Sequence, residues 1–143
     1  MNVCFTSDKN GLKDNVLGRV NGYIEIFSPP PRNIDLLVVN GGEVTRFIDR
    51  NIDTCIFDSK YSSKVLELKN VNSAISCGMQ GLDSVTFSSI SEDKALVCIR
   101  RRIIFGKVAV DPCEFKTDFD PEVGIFHNLV ISMIGFLTDL KGD

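Results

Sequence analysis

The sequence predicts an α/β fold with a mixed sheet: parallel strand-helix units, then antiparallel hairpins, then a C-terminal helix. Three observations carry this expectation. Between residues 34 and 77, continuous apolar runs alternate with short helical patterns, which is the rhythm of parallel strands joined by crossovers. After Gly78, apolar runs follow one another with only turn residues between them, as in antiparallel hairpins. Near the C-terminus, Asp120, Pro121 and Glu122 precede a long segment of helical periodicity, and each favours helix initiation.

The elements follow in order. A short apolar start, Val3 to Phe5, leads into polar, glycine-containing sequence through Gly22 in which no element is legible. Tyr23-Ile24-Glu25-Ile26-Phe27 alternates like a half-buried strand. Ser28 to Asn33 contains Pro29, Pro30 and Pro31, which lack N–H donors and disfavour helix before them, so this segment is an extended connection. The first 33 residues therefore read as an irregular segment with strands, ahead of a core from residue 34 to 143, all within one domain. Ile34 to Val39 is a buried strand stopped by Asn40-Gly41-Gly42. Val44, Phe47 and Ile48 then give Glu43 to Asp49 the spacing of a short helix. The pattern repeats with strand Thr54 to Phe57, turn Asp58-Ser59-Lys60 and a helix from Ser62 carrying Val65, Leu66 and Leu68. Ser73 to Cys77 is the third strand, closed by Gly78.

Ser84 to Ile90, Ala95 to Phe105 and Lys107 to Val110 read as the hairpin strands, with turns at Ser91 to Lys94 and at Gly106. In the middle strand Val97, Ile99, Ile103 and Phe105 share a face with Arg101 by strict alternation. Either a bulge shifts the register near Arg100-Arg101-Arg102, or one arginine is paired below the surface. The triplet offers an anion site or a solvated, aggregation-resistant strand edge. The final helix runs from Asp120, with Phe126, Leu129, Val130, Met133, Leu137 and Leu140 on a wide apolar face and Asn128, Ser132, Gly135 and Asp139 on a small, polar side. Lys141 and Gly142 supply its stop signal.

Composition narrows the chemistry. With 143 residues, 43% hydrophobic and 24% charged, the chain fits one globular domain. Sixteen basic against nineteen acidic residues give no field for phosphate backbones, so nucleic acid is excluded as the default partner. No apolar stretch is long enough to span a bilayer, and the N-terminus lacks the basic and apolar regions of a signal peptide. A cytoplasmic location is the expectation. Five cysteines at positions 4, 55, 77, 98 and 113, without C-x-x-C spacing, fit reduced thiols acting mostly as small core residues.

Candidate site residues are few. His127 is the single histidine, followed by Asn128 at a helix start, where N–H groups could help hold an anion. The alternative is a hydrogen-bonded structural histidine. Cys113 or Cys77 could serve as a nucleophile only with a base that the sequence does not place. The acidic pairs Glu92-Asp93, Asp118/Asp120 and Asp49/Asp53 fall in turns or caps where carboxylates have structural reasons to be. Asn40-Gly41-Gly42 lacks the lysine and hydroxyl of a phosphate-cradling loop. No metal or cofactor is indicated.

Several segments in order carry a family likeness: the strand Ile34 to Val39 ending at Asn40, Cys55-Ile56-Phe57-Asp58, Ala74 to Gly78, the hairpin strands, and Gly124-Ile125-Phe126-His127-Asn128. From about Asp35 to Leu140 the chain resembles the later half of the central domain of Mur-type peptide ligases, ATP-dependent enzymes of cell-wall peptide assembly. The resemblance implies that the His-Asn region lies near a nucleotide. It also exposes departures: no phosphate loop precedes Ile34, the second asparagine expected three residues after Asn128 is Ile131, and the family's C-terminal domain is absent from the sequence. The implied function is a non-catalytic, shortened ligase-like domain acting as a binding or assembly module that self-associates or meets a protein partner. The alternative is a small nucleotide- or sugar-nucleotide-binding protein using His127 and Asn128, with Arg100, Arg102 and Asn40 as further ligand-binding candidates.

Overall fold

A computed structural model describes residues 1–7, 11–19, 25–26 and 29–140. The order is β1 (Asn2–Phe5), α1 (Leu12–Arg19), β2 (Glu25–Ile26), β3 (Asn33–Val39), β4 (Asn51–Asp58), α2 (Ser62–Val65), β5 (Asn70–Cys77), β6 (Val85–Ser91), β7 (Lys94–Ile99), β8 (Ile103–Phe105), β9 (Val108–Val110), β10 (Cys113–Asp118) and α3 (Ile125–Leu140). Eight strands form one sheet in the order β10-β7-β6-β5-β4-β3-β1-β2, and β8-β9 form a separate hairpin. From β2 across to β6 every pairing is parallel, whereas β6-β7 and β7-β10 are antiparallel.

From β1 the chain places β2 on one side and β3, β4 and β5 on the other. Crossovers between parallel strands are right-handed, so reversing direction along the sheet moves the connection to the opposite face. The packing follows this rule. Leu12 and Val16 of α1 join α3 and the β8-β9 hairpin in one core with Val3, Phe5, Leu36, Val38, Ile56 and Ile75. On the other face Cys4, Leu37, Val39 and Cys55 pack beneath Val44, Phe47, Tyr61, Val65 and Leu68. β1 is therefore an internal strand, with Val3 and Cys4 fully buried, and both β1 and β2 belong to the sheet.

The three central strands start alike: Arg32-Asn33-Ile34-Asp35, Arg50-Asn51-Ile52-Asp53 and Lys69-Asn70-Val71-Asn72. The sheet sets them in register, Asn33 opposite Asn51 and Asn51 opposite Asn70. Asn51 Nδ2 donates to Asn33 Oδ1 at 2.9 Å, and Asn72 Nδ2 to Asp53 Oδ1 at 3.2 Å. Because a one-residue slip would send every side chain to the wrong face, this row of amides reinforces the register that burial demands.

Several expectations need correction. Glu43 to Asp49 forms only a 3-10 turn, Thr45–Phe47, with Val44 and Phe47 buried three residues apart; β4 begins too soon afterwards for a longer helix. The helix from Ser62 is a single turn, α2, with Leu66 85% exposed and β5 starting at Asn70. Ala95 to Phe105 is not one strand. At Arg100–Arg102 the chain leaves the sheet, and Ile103–Phe105 pairs with Val108–Val110 around Gly106, whose φ is +59°. All three arginines are exposed, and the sheet's register shift lies at Phe87/Ser89 instead.

Two elements escaped the sequence: α1, whose apolar face amounts to Leu12 and Val16, and β10, whose Glu114, Lys116 and Asp118 face solvent. The last helix starts at Ile125 rather than beside Asp120, because Asp120 Oδ1 accepts from Glu122 N at 2.9 Å and closes a separate turn. Leu129, Val130, Met133, Ile134 and Leu137 bury its apolar face. Its stop signal at Lys141 and Gly142, and the Leu140 side chain, lie outside the described residues, as do Tyr23, Ile24, Phe27 and Ser28 of the expected N-terminal strand and linker; Pro29 to Arg32 is irregular. Among the described residues no helix is long and apolar enough to cross a membrane.

Burial pushes the Cys4 thiol up to about 11, with Arg46 partly offsetting it, and the Cys55 thiol up to about 12, both from an ordinary value of 9.0. The folded state thus holds these protons more tightly than the unfolded chain, so the stability they confer is complete below pH 9 and is lost as pH rises toward 11 and 12. Urea midpoints measured from pH 8 to 11 should fall above pH 9. In Cys55→Ala the fall should be shallower, despite a lower midpoint throughout.

Candidate functional site

In doubly wound sheets the crevice outside the carboxyl ends of the strands, where the order reverses, is the natural ligand position. Here that point is the β1/β3 junction. A polar latch closes its floor. Asn40, just past β3, accepts at Oδ1 from Ser7 N at 3.1 Å and donates from Nδ2 to Ser7 O at 2.9 Å. Thr6, just past β1, accepts from Asn40 N at 3.2 Å and donates to Gly41 O at 2.5 Å. The loop can turn this tightly because Gly42 has a φ of +71°, and a Cβ there would sit 2.9 Å from Thr6 O. Asn40 is buried, with both ends of its amide committed.

Above the latch lies a cleft of about 290 Å³ lined by Asn40, Asp58, Lys60, Tyr61, His127 and, at the start of α3, Gly124, Ile125 and Phe126, with Leu12 also in its wall. Asp58 ends β4 and caps the following turn, its Oδ1 accepting from Lys60 N at 3.2 Å. Lys60 Nζ lies 3.7 Å from Asp58 Oδ2 and 5.4 Å from the Tyr61 ring centre. The lysine is well exposed, so this pairing leaves it able to turn to an anion. His127 contributes from the first turn of α3, where Nε2 meets Asn15 Nδ2 of α1 at 2.9 Å. With the amide nitrogen donating, the imidazole accepts, which ties the two helices together across the cleft wall.

The five predicted ligand residues do not converge. Asn40 and His127 reach the cleft. Asn128 turns away from it: its Oδ1 accepts from Asp120 N at 2.9 Å, while Nδ2 donates to Asp120 O at 2.9 Å and Gly124 O at 3.1 Å. It is 2% exposed and holds the 120–124 loop onto the start of α3. Arg100 Nη1 donates to Gln80 O at 2.9 Å and Gly81 O at 3.0 Å, Arg101 to Leu82 O at 2.9 Å, and Arg102 lies 3.8 Å from Asp111. Arg100 and Arg101 brace the loop after β5, Arg102 lies beside Asp111 just past β9, and none of the three lines the cleft. The same loop holds Asp83, 1% exposed, whose Oδ2 accepts from Gln80 N at 2.9 Å; a Cβ on Gly78 would approach that oxygen to 2.6 Å.

Asp58, Lys60 and Tyr61 were missed. Their signal was present in the chain, a carboxylate ending a parallel strand followed at once by a lysine and an aromatic residue, but it acquires meaning only with the strand order. Neither nominated thiol is activated. Burial, reinforced by Asp83, Asp58 and Cys55, raises Cys77, and burial with Cys98 raises the exposed Cys113. Among the described residues no cluster of three or more metal-ligating side chains occurs.

Fold and cleft together define an α/β domain with a mixed sheet and a polar crevice at its switch point. No protein-family model, curated protein or solved structure matches the chain. The crevice brings together a lysine, a phenol, an imidazole and the carboxylate of Asp58 beside the start of the sixteen-residue helix α3, whose N-terminal dipole favours negative charge.

Asn128→Ala should cost about 1–2 kcal/mol, because it removes the partner of the partly buried Asp120 N–H and of the Asp120 and Gly124 carbonyls. A urea denaturation midpoint checks this. Asn128→Asp should be destabilised as well, since a carboxylate cannot donate to Asp120 O and Gly124 O.

Proposed function

We propose that this chain is a non-catalytic binding module resembling a shortened Mur-ligase central domain, and that its ligand is a small phosphate-bearing molecule, a nucleotide or sugar nucleotide, held in the β1/β3 cleft. The observation that carries the reading is the placement of Lys60, Tyr61 and His127 around one crevice at the carboxyl ends of parallel strands. Support for the family likeness comes from the order of parts, with parallel strands, antiparallel strands and then a helix opening at Gly124 to Asn128. A volume of about 290 Å³ suits a phosphate with part of a sugar or base.

The non-catalytic half of the reading rests on the β1-α1 connection. That is where a phosphate-cradling loop belongs in such a sheet. Here it reads Thr6-Ser7-Asp8-Lys9-Asn10-Gly11, without the paired glycines and the Lys-Ser/Thr that close around a triphosphate and its magnesium. Binding without turnover is the expected behaviour. Lys60 would supply charge, Tyr61 a flat face for a ring, and His127 a polar edge fixed by Asn15.

Thermal unfolding against ATP, ADP, uridine nucleotides and inorganic phosphate, each with and without magnesium, tests this directly. Ligand at a hundred times its dissociation constant stabilises the native state by about 2.7 kcal/mol, a rise of several degrees for a domain of this size. Lys60→Ala should abolish the rise while leaving the ligand-free transition in place. A flat response across the panel would remove the cleft as a nucleotide site, and phosphate release from ATP would overturn the non-catalytic reading.

A further inference from the structure

The sheet ends at β10, which among the described residues pairs with β7 on one side and with no strand on the other. Such an edge is a template for another strand. β10 reads Cys113-Glu114-Phe115-Lys116-Thr117-Asp118. Glu114, Lys116 and Asp118 alternate along the solvent face, while Phe115 and Thr117 turn toward α3, with Phe115 stacked on Phe136 at 4.3 Å and 6° and Thr117 Oγ1 2.8 Å from Ser132 Oγ.

The geometry points to a homodimer in which β10 pairs antiparallel with β10 of a second copy, in the register that places Phe115 opposite Phe115. The charges select this arrangement. A two-fold axis normal to the sheet keeps each face continuous, so residues of like parity must pair, and the symmetric choices centre on Glu114, Phe115, Lys116 or a neighbour. Centred on Phe115, Glu114 meets the partner's Lys116 twice. Centred on Lys116, Glu114 meets Asp118 of the second copy; centred on Glu114, two carboxylates meet; and centred on Thr117, Lys116 meets an Asp118 already held by Lys94 while Glu114 meets Asp120. Parallel pairing in register sets like charges together along the whole strand, and like charges directly opposite are destabilising. An isologous, antiparallel contact is the one this sequence complements.

The inner face agrees. Among the strands, the α3 backbone lies nearest β5 and β6, inboard of the edge, and reaches β10 through the Phe136 and Ser132 side chains, with an open groove of about 670 Å³ between Ile131, Gly135 and Phe136 of the helix and Phe115 of β10. Strands in a sheet lie about 4.8 Å apart and packed helices 8–10 Å, so a helix set back from the edge leaves room for its symmetry mate. A Cβ on Gly135 would meet nothing within 4 Å, so the groove is open at its middle. In the dimer the two Phe115-Phe136 stacks would adjoin across the axis. Lys116, meanwhile, has no ion-pair partner among the described residues, whereas Asp118 is already paired with Lys94. This inference is independent of the ligand cleft.

Sedimentation velocity over a hundredfold range of concentration provides the test. The wild-type chain should reach twice its 15.8 kDa mass at micromolar concentration. Glu114→Lys and Lys116→Glu should each weaken association at least tenfold by setting like charges opposite. Mixing the two single variants should restore a dimer, because every crossed pair is then of opposite sign, and the double variant should dimerise like the wild type. Circular dichroism confirms that each variant is folded. A wild-type chain that stays monomeric throughout overturns the proposal, and so does a dimer that ignores both single reversals or a mixture that fails to pair.

Discussion

Burial of β1, β3 and β4 on both faces is the constraint on which the rest of the molecule depends. Parallel strands of this kind are stable only when layers cover both sides, and the described residues before β5 provide little helix to do so. One face is covered by α1, α3 and the β8-β9 hairpin. Among the described residues the other receives the 3-10 turns Thr45–Phe47 and Ser59–Tyr61 and the single helical turn α2, whose residues and neighbours bring Val44, Phe47, Tyr61, Val65 and Leu68 onto the strands. Short crossovers suffice because they carry large side chains spaced three or four residues apart. They also leave the carboxyl ends of the strands open, which is where the cleft forms.

The position of β1 follows from the same constraint. With Val3 and Cys4 fully buried and Phe5 nearly so, it is an internal strand, and the elements that follow β1 and β3 pack on opposite faces of the sheet. At the ends of these two paired strands Thr6 and Asn40 join the loops with a set of reciprocal hydrogen bonds. A buried polar group without a partner is costly, so this latch is a condition for burying the junction as well as a floor for the cleft. At the opposite end of the strands the Asn33-Asn51-Asn70 row does comparable work on register.

Legibility in the sequence tracked apolar density. Strands β3 and β4 announce themselves as apolar runs ended by Asn40-Gly41-Gly42 and by Asp58, β5 more faintly as Ser73 to Cys77 before Gly78, and α3 as a long periodic stripe. The missed elements were those with sparse apolar faces. α1 buries little more than Leu12 and Val16, and β10 alternates charge with small or aromatic side chains, so neither pattern stands out from a loop. Arg100–Arg102 misled for another reason: the residues on both sides have strand character, and nothing local reveals that one side belongs to the main sheet and the other to a hairpin stacked on its face. For the site, His127 and Asn40 could be nominated from their neighbours in the chain. Asn128 could be nominated too, but its role could not, since an asparagine that caps a loop and one that holds a ligand look identical in sequence.

By itself the sequence determined the broad order of parts: an α/β chain, parallel strands before antiparallel ones, a terminal helix, most thiols in the core and no G-x-x-x-x-G-K-S/T motif. These are properties of local periodicity and residue chemistry, which depend on near neighbours. Only the tertiary structure decided that β1 lies inside the sheet, that Asp58, Lys60 and Tyr61 share a crevice with His127, that Arg100 and Arg102 do not, and that β10 forms an open edge with Glu114 and Lys116 flanking Phe115. Each of those depends on which strand lies beside which. Strand order is set by burying two faces at once, a collective requirement to which segments far apart in the chain contribute together.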